Sequence, residues 1–271
     1  MTHATPLGTA MLIDLEQYPI TDLKSPASQA LIARCRESLA TRGAVRLDGF
    51  VRAEAIQVMA EEARNLAAHA HQQNDDFTAY IGQTLPDSLP PNHPCRNLQR
   101  TAQAAVAYDL IGDNTAVRSF YESEDLTAFI GAVLNKERFY RSADPLAACN
   151  LAYIGDGQEL GWHFDSSESS VTLQIQAPRE GGVFEFVPNI RTDTQENFDE
   201  VGAVLIGGDK NVVRSPCQAG TLSIFRGHHA LHRVTPVFGE TPRVTAVLTY
   251  AEVPDFRVSD YSRKLFYGRL A

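Results

Sequence analysis

The chain has 271 residues, and 44% of them are hydrophobic, so it can bury a sizeable core as one large domain. Its formal net charge of −9 argues against a nucleic-acid partner. It has no apolar run of about 18 residues that would predict a membrane-spanning helix, and residues 1–20 lack the pattern of a secretory signal. The four cysteines lie far apart and are expected to remain reduced. The sequence therefore predicts a cytoplasmic protein with no membrane or nucleic-acid partner.

Helical patterns dominate the first half of the chain. Residues 25–43 begin with a Ser cap followed by Pro and end at Gly43, which is typical of a helix. Residues 53–71 and 124–134 repeat apolar side chains at a spacing of three or four, which predicts two further helices. Between them, residues 74–112 contain four prolines, which predicts an irregular segment. This segment is a candidate lid loop, although a passive surface connection explains it equally well.

After residue 147 the apolar spacing changes to the alternation of β-strands. Seven strand-like segments follow: 147–155, 170–177, 182–188, 211–215, 221–225, 230–237 and 243–253. Short consecutive strands without intervening helices favour a sandwich, barrel or jelly roll over a parallel sheet. We predict one domain, with a mostly helical region at 1–140, a β core at 141–255 and a C-terminal segment at 256–271.

A candidate metal-binding pair occurs in GWHFD, where His163 and Asp165 are two positions apart. In an extended segment such residues point to the same side. Chance alone would supply about one His-x-acid triplet in this composition, so the pair needs support from elsewhere. The motif GHHALHRVTPV provides it, because His232 lies within a strand pattern, whereas His228 and His229 have a loop-like setting. We take His232 as the third ligand and keep His229 as the alternative.

Two histidines and one carboxylate on one face of a metal leave three coordination positions open, as in non-haem Fe(II) oxygenases. A 2-oxo acid can occupy two of these positions while O2 takes the third. Zinc is the competing metal, but a structural zinc site needs four ligands and no fourth is evident. The pattern therefore predicts Fe(II), 2-oxoglutarate and O2 as cofactors.

The strand-like segment 243–253 begins with Arg243, and Thr245, Val247 and Thr249 share its face. A guanidinium at a core strand is costly unless it is paired, and its forked geometry suits a carboxylate. Arg243 and Thr245 are therefore predicted to hold the far carboxylate of 2-oxoglutarate. The alternative is a structural ion pair between Arg243 and an internal Asp or Glu.

The motifs GWHFD, GGVFEFVP, GTLSIFRG, LHRVTPV and PRVTAVLTY resemble the Fe(II)/2-oxoglutarate-dependent dioxygenase superfamily over roughly residues 140–255. This resemblance implies a mainly β fold, a cupin-like jelly roll or double-stranded β-helix with flanking α-helices. More narrowly, AYDLI, GWHFD, FRGHHALHRVTPV and YSRKLFYGR are similar to small bacterial enzymes that hydroxylate or chlorinate free amino acids such as lysine. The halogenases of that group have a small residue, usually Gly, where this chain has Asp165. The departure points to hydroxylation.

Other residues are candidates for contact with a small-molecule substrate, namely Arg96, Arg100, Trp162, Ser166 and Thr249. Asn150, on the strand before the metal-binding pair, is a candidate for a hydrogen bond to 2-oxoglutarate. Structural explanations compete with most of these roles: solvated surface for the arginines, outer-face packing for Trp162, a turn cap for Ser166 and core hydrogen bonding for Asn150.

The sequence thus predicts an Fe(II)/2-oxoglutarate-dependent hydroxylase. It would attack an unactivated C–H bond of a small polar molecule, a free amino acid or a derivative, and release succinate and CO2. One alternative is the same oxidising chemistry ending in desaturation, cyclisation or halogenation, and another is a non-catalytic cupin-like binding protein. The substrate, the carbon attacked and the oligomeric state stay open, a homodimer being one option.

Overall fold

The computed structural model describes residues 7–208 and 211–271. In these ranges the helices are α1 Thr9–Leu12, α2 Pro26–Arg42, α3 Ala53–Leu66, α4 Ala116–Tyr121, α5 Glu124–Val133, α6 Phe198–Leu205 and α7 Asp260–Tyr267. The strands are β1 Ala44–Leu47, β2 His71–Phe77, β3 Gln99–Val106, β4 Tyr140–Arg141, β5 Cys149–Ile154, β6 Glu159–His163, β7 Ser170–Gln176, β8 Glu180–Gly181, β9 Phe184–Val187, β10 Val213–Ser215, β11 Leu222–Phe225, β12 Leu231–Val234, β13 Val237–Phe238, β14 Arg243–Leu248 and β15 Tyr250–Ala251.

One antiparallel sheet of eleven strands forms the centre of the molecule. Its larger part has the strand order β1-β11-β7-β14-β5-β3, with β2 added beside β3. Its smaller part has the order β6-β12-β9-β10, and β3 pairs with both β5 and β6, so it joins the two parts. Inward-facing residues from both parts line a single cavity. The predicted mainly β, jelly-roll class with flanking helices is confirmed.

The helices α2 to α5 pack on the larger part of the sheet. Ser25 caps α2 by accepting a hydrogen bond from the backbone N–H of Ser28, and Gly43 ends it with φ of 71°, a conformation that suits a residue without a Cβ. Leu126, Phe129 and Ile130 of α5, which lie one helical turn apart, are fully buried. The helices predicted at 25–43 and 124–134 are therefore present with nearly the predicted bounds.

The segment between these helices differs from the prediction. The helix predicted to reach residue 71 ends at Leu66, and residues 71–77 form β2, which pairs in register with β3 at residues 99–106. Residues 74–77 and 99–106 of the predicted irregular segment 74–112 thus lie in strands. The proline-rich stretch between them is the irregular part. The helix α6 also lies between the predicted strand segments 182–188 and 211–215, where the sequence predicts no helix. The physical reason is that pairing with β3 organises the polar segment 71–77, whose local pattern does not indicate a strand.

No helix within residues 7–208 and 211–271 is both long and apolar enough to cross a membrane. Residues 1–20 were predicted to lack a secretory signal, and the first six of them lie outside the described residues.

Candidate metal centre and cavity

His163 and His232 lie directly opposite each other on the neighbouring strands β6 and β12. Their ring centroids are 4.1 Å apart, and the residues are only 7% and 3% exposed. Strand pairing therefore brings together two imidazoles that are 69 positions apart in the sequence.

Backbone hydrogen bonds set the orientation of both rings. Nδ1 of His163 lies 2.8 Å from the carbonyl oxygen of Gly161, and Nδ1 of His232 lies 2.8 Å from that of Ala230. A carbonyl can only accept, so each Nδ1 carries the proton and each Nε2 presents its lone pair. Burial, followed by the nearby His232 ring, lowers the pKa of His163, which favours the neutral form that binds metals.

The carboxylate of Asp165 faces both Nε2 atoms. Its Oδ1 is 3.5 Å from Nε2 of His163, and its Oδ2 is 3.4 Å from Nε2 of His232. The hydroxyl of Ser170 donates a hydrogen bond to the same Oδ2. Burial would raise the pKa of Asp165, but the adjacent imidazoles hold it well below its usual range. The carboxylate is therefore ionised and fixed in place.

Gly227 makes room for this carboxylate. A Cβ on Gly227 would lie 2.1 Å from Oδ2 of Asp165 and 2.7 Å from Oγ of Ser170, distances that no real contact shows. The backbone of the same residue accepts a hydrogen bond from the N–H of Asp165 at 3.1 Å. The position of the third ligand thus depends on the absence of a side chain at residue 227.

These three side chains fit a divalent iron ion. Their ligand atoms all lie within 4.8 Å of one another, and separations of 3.4 and 3.5 Å suit neighbouring ligands with bonds of about 2.1 Å. Two imidazoles and one carboxylate are the donor set of the 2-His-1-carboxylate site predicted from the sequence. His229, the alternative ligand, lies elsewhere and contacts Asp193, with Nε2 and Oδ1 2.9 Å apart.

The triad opens into a cavity of about 600 Å³. On the sheet, the lining residues follow each strand at every second position, as on β14, where Arg243, Thr245 and Val247 face inward. The α7 helix covers another side of the cavity with Tyr261, Phe266 and other residues. This contribution was not predicted, because the C-terminal segment 256–271 was assigned no helix from the sequence.

Arg243 has no acidic partner among the described residues. Its Nη1 donates a hydrogen bond to Oγ1 of Thr245 at 2.7 Å, and the Thr245 hydroxyl donates in turn to Oε1 of Gln174 at 3.2 Å. Its Nε is inaccessible and has no hydrogen-bond partner. Burial lowers the pKa of this guanidinium, and the adjacent Cys217 only partly offsets the effect. The predicted alternative, an internal ion pair with Asp or Glu, is absent from the part of the chain that the structure describes.

The predicted ligand contacts divide into two groups. Asn150, predicted to contact 2-oxoglutarate, and two of the predicted substrate contacts, Ser166 and Thr249, line the cavity. Arg96 does not, because its guanidinium donates to the carbonyl oxygens of Pro86, Leu89 and Pro90 and so holds its own loop together.

Arg100 and Trp162 also lie outside the cavity lining. Arg100 donates to the carbonyl oxygen of Gly157 and lies 3.8 Å from a carboxylate oxygen of Glu159. Trp162 is buried with Arg233 stacked 4.7 Å above its ring, so it packs on the side of β6 opposite His163. Outer-face packing, one of the two explanations considered for Trp162, is what the structure has.

Several polar residues of the cavity were not predicted from the sequence. Among them, Gln73 on β2 and Thr101 and Gln103 on β3 face inward and are 4%, 2% and 7% exposed. Two-residue periodicity within QRTAQAAV is the signal that could have found Thr101 and Gln103. Gln73 carries no such signal, because HQQNDDF is polar throughout.

Comparison with solved structures shows a shared fold. The epimerase SnoN from nogalamycin biosynthesis is 16% identical with a TM-score of 0.56, covering 83% of each chain. AviO1 from Streptomyces viridochromogenes Tue57 is 18% identical with a TM-score of 0.56, over 84% of this chain and 97% of that one. A 2OG-Fe(II) oxygenase family protein from Burkholderia pseudomallei is 14% identical with a TM-score of 0.52, over 83% and 92%. No curated protein matches the chain in sequence.

The solved structures show that the fold is shared, and the triad has the donor set that the sequence predicts. A model of the Halogenase D family matches residues 27–265, and the chain belongs to this family. The match covers the sheet, the helices α3 to α6 and most of α2 and α7, so it includes the whole triad and all of the cavity lining except Phe266 and Tyr267.

Proposed function

We propose that the protein hydroxylates an unactivated C–H bond of a small polar substrate, a free amino acid or a close derivative, with release of succinate and CO2. The observation that carries this proposal is the Asp165 carboxylate, held between two histidines by Ser170. A carboxylate at this point occupies the coordination position that chloride would need. Membership of the Halogenase D family makes halogenation the second candidate.

The side chains of this cavity suit the binding of 2-oxoglutarate. His163, Asp165 and His232 would hold iron, which when bound supplies the oxidising power that couples O2 and 2-oxoglutarate to C–H attack. Arg243 and Thr245 would hold the far carboxylate, since this guanidinium has no acidic partner in the described chain. Asn150, opposite Val247 of β14, faces the cavity and could donate a further hydrogen bond.

Support for the co-substrate also comes from a structural neighbour. SnoN has been solved in complex with Fe3+, alpha ketoglutarate and a nogalamycin. The shared fold makes iron and 2-oxoglutarate reasonable for this chain, while the substrate of SnoN carries no argument at 16% identity.

Succinate release tests the proposal. Purified protein would be incubated with ferrous iron, 2-oxoglutarate, O2 and a panel of amino acids and derivatives, and succinate and product mass would be measured. A mass increase of one oxygen atom, dependent on all three cofactors, is expected. A chlorine-containing main product would favour the second candidate. Failure of every compound to stimulate succinate release, with no metal-dependent binding of 2-oxoglutarate, would favour a non-catalytic cupin-like protein.

A further inference from the structure

The side chains of Gln73 and Gln103 form a pair at the cavity wall formed by β2 and β3. The two residues are directly opposite in the strand register, and Nε2 of Gln103 donates to Oε1 of Gln73 at 3.0 Å. Both are more than nine-tenths buried, and both line the cavity. We call Gln73 and Gln103 the glutamine pair.

The glutamine pair has one donor group and one acceptor left over. The described residues provide no further partner for Nε2 of Gln73 or Oε1 of Gln103. Exchanging the O and N assignments of both amides does not change this conclusion. One amide donates to the other in either case, so one NH2 group and one carbonyl oxygen remain without a protein partner. Neither atom is among the inaccessible polar atoms that lack a partner, so both are open to the cavity, where a ligand with adjacent acceptor and donor atoms would complete the pair. An amide group has that arrangement.

The charges around the cavity argue against a ligand that carries a free ammonium group. Among the described residues that line it, Asp165 is the sole carboxylate, and it belongs to the metal triad. The cationic lining residues are Arg243, Arg257 and Arg46, the last of which is paired with Asp48 at 2.7 Å. Burying an ammonium group here would leave it without a carboxylate partner among the described lining residues, at a large cost in free energy.

We infer that the substrate is a small carboxylic acid that carries a neutral amide and no free ammonium group, the chemistry of an N-acylated amino acid. The glutamine pair binds its amide, and Arg257, exposed at the cavity rim, attracts its carboxylate. This inference rests on the proposed function, and it narrows the substrate class from amino acids and derivatives to derivatives whose amine is blocked.

Binding without turnover provides the test. Protein loaded with Mn(II) and 2-oxoglutarate under anaerobic conditions would be titrated by calorimetry with the N-acetyl and the free forms of the same set of amino acids. At least one N-acetyl compound is expected to bind about tenfold or more tightly than its free counterpart. Equal or tighter binding of the free form throughout the set, or no binding of any N-acetyl compound, would overturn the inference.

Three variants connect this preference with the glutamine pair. Gln103→Leu should weaken binding of the preferred N-acetyl compound about tenfold or more. Gln72→Leu is the matched control, because the neighbouring Gln72 is exposed on the other face of β2, and it should leave binding unchanged. Gln103→Glu adds the missing carboxylate and should shift the preference towards the free amino acid. Thermal unfolding would verify that each variant is folded, and unchanged preference in both folded Gln103 variants would contradict the assignment.

The outcomes separate this inference from the proposed function. Gln103-dependent binding of an N-acetyl compound that produces no succinate in air would uphold the inference and reject hydroxylation. Succinate release stimulated only by free amino acids would uphold hydroxylation and reject the inference.

Discussion

The two histidines of the triad are held by hydrogen bonds that do not involve the metal. Each Nδ1–H donates to a backbone carbonyl two residues earlier, at 2.8 Å in both cases. The carboxylate is likewise held by Ser170 and by the space that Gly227 leaves. A site that is ordered in this way loses little conformational freedom when the ion binds.

Substitution of His232 and of its neighbour His229 should have different effects on metal binding. We expect His232→Ala to weaken metal binding by more than the roughly 10–100-fold that loss of a supporting hydrogen bond costs, and to abolish succinate release. His229→Ala should change neither by much, because His229 contacts Asp193 instead. Equilibrium dialysis with Fe(II) under anaerobic conditions measures the difference. Retained affinity in His232→Ala with loss in His229→Ala would reject the assigned triad.

Arg243→Ala should raise the concentration of 2-oxoglutarate needed for half-maximal rate. Truncating one side of a buried charge pair costs about 2–5 kcal/mol, which is roughly thirtyfold or more in affinity. Iron binding should change less, since Arg243 does not contact the triad. Arg46→Ala is the control, because Arg46 also lines the cavity but is already paired with Asp48. An unchanged requirement in Arg243→Ala would make that residue purely structural.

Asp165→Gly should remove most hydroxylation, since the ion loses one of its three protein ligands. Chloride could then enter the vacated position, but we expect only weak chlorination, because a halogenase must also place its substrate near the halide and hold that halide with hydrogen-bond donors. Product masses from native protein and variant, each in high chloride with the true substrate, provide the measurement. Chlorinated product as the main species from native protein would mean that Asp165 is not an iron ligand.

At the level of elements, a buried carboxylate in the loop between β4 and β5 helps to hold α7 in place. Asp144 accepts backbone hydrogen bonds from Leu146, Ala147 and Val258, and both Nε and Nη2 of Arg263 donate to it at 3.0 and 2.8 Å. Because α7 also covers the cavity, this contact connects the stability of the C-terminal segment with the shape of the site.

Asp144 should make the stability of the protein sensitive to acid. Burial opposes its ionisation, but the backbone N–H groups and Arg263 more than compensate, so its pKa is lowered in the folded protein. Its stabilising contribution is therefore complete above the unfolded pKa of about 3.9 and is lost as pH falls through the lower folded pKa. Asp144→Asn should destabilise the protein at pH 7 by about 3–5 kcal/mol and remove this part of the acid sensitivity.

Urea unfolding between pH 3 and pH 7 would measure both effects. Asp109→Asn is the matched control, because the Asp109–Arg269 pair also tethers the end of the chain but is about one-third exposed on each side. Exposed pairs contribute about 0–1 kcal/mol, so this control should differ little from the native protein. Equal losses in the two variants would show that burial of Asp144 is unimportant.

The elements that the sequence analysis identified have a strong local pattern. The strands β7, β11 and β14 alternate clearly, and α2 has both a Ser cap and a Gly end, so each was predicted within a few residues. The strand β2 was missed because its side chains are polar on both faces and only its partner β3 organises it. The glutamine pair, which depends on this pairing, was therefore not predictable from local sequence.

At the scale of the whole molecule, the site residues that lie close in sequence could be predicted, whereas contacts made by the tertiary structure could not. The pair His163 and Asp165 is close in sequence, so its geometry follows from an extended backbone. The choice of His232 over His229 was made from strand periodicity, and the register of β12 with β6 agrees with it. The places of Arg96 and Arg100 outside the cavity lining could not be predicted, because their partners, loop carbonyls and Glu159, are determined by the tertiary structure.

The pairing of β6 with β12 makes the folding of this chain dependent on metal supply. The two histidines meet only when strands that are distant in sequence are paired, so the unfolded chain has no preformed site and the ion binds the native state alone. By mass action, free metal at about one hundred times its dissociation constant would add about 2.7 kcal/mol to the free energy of unfolding. The melting temperature should rise with each increase in free Fe(II), so a cell short of iron would hold fewer folded copies as well as fewer loaded ones.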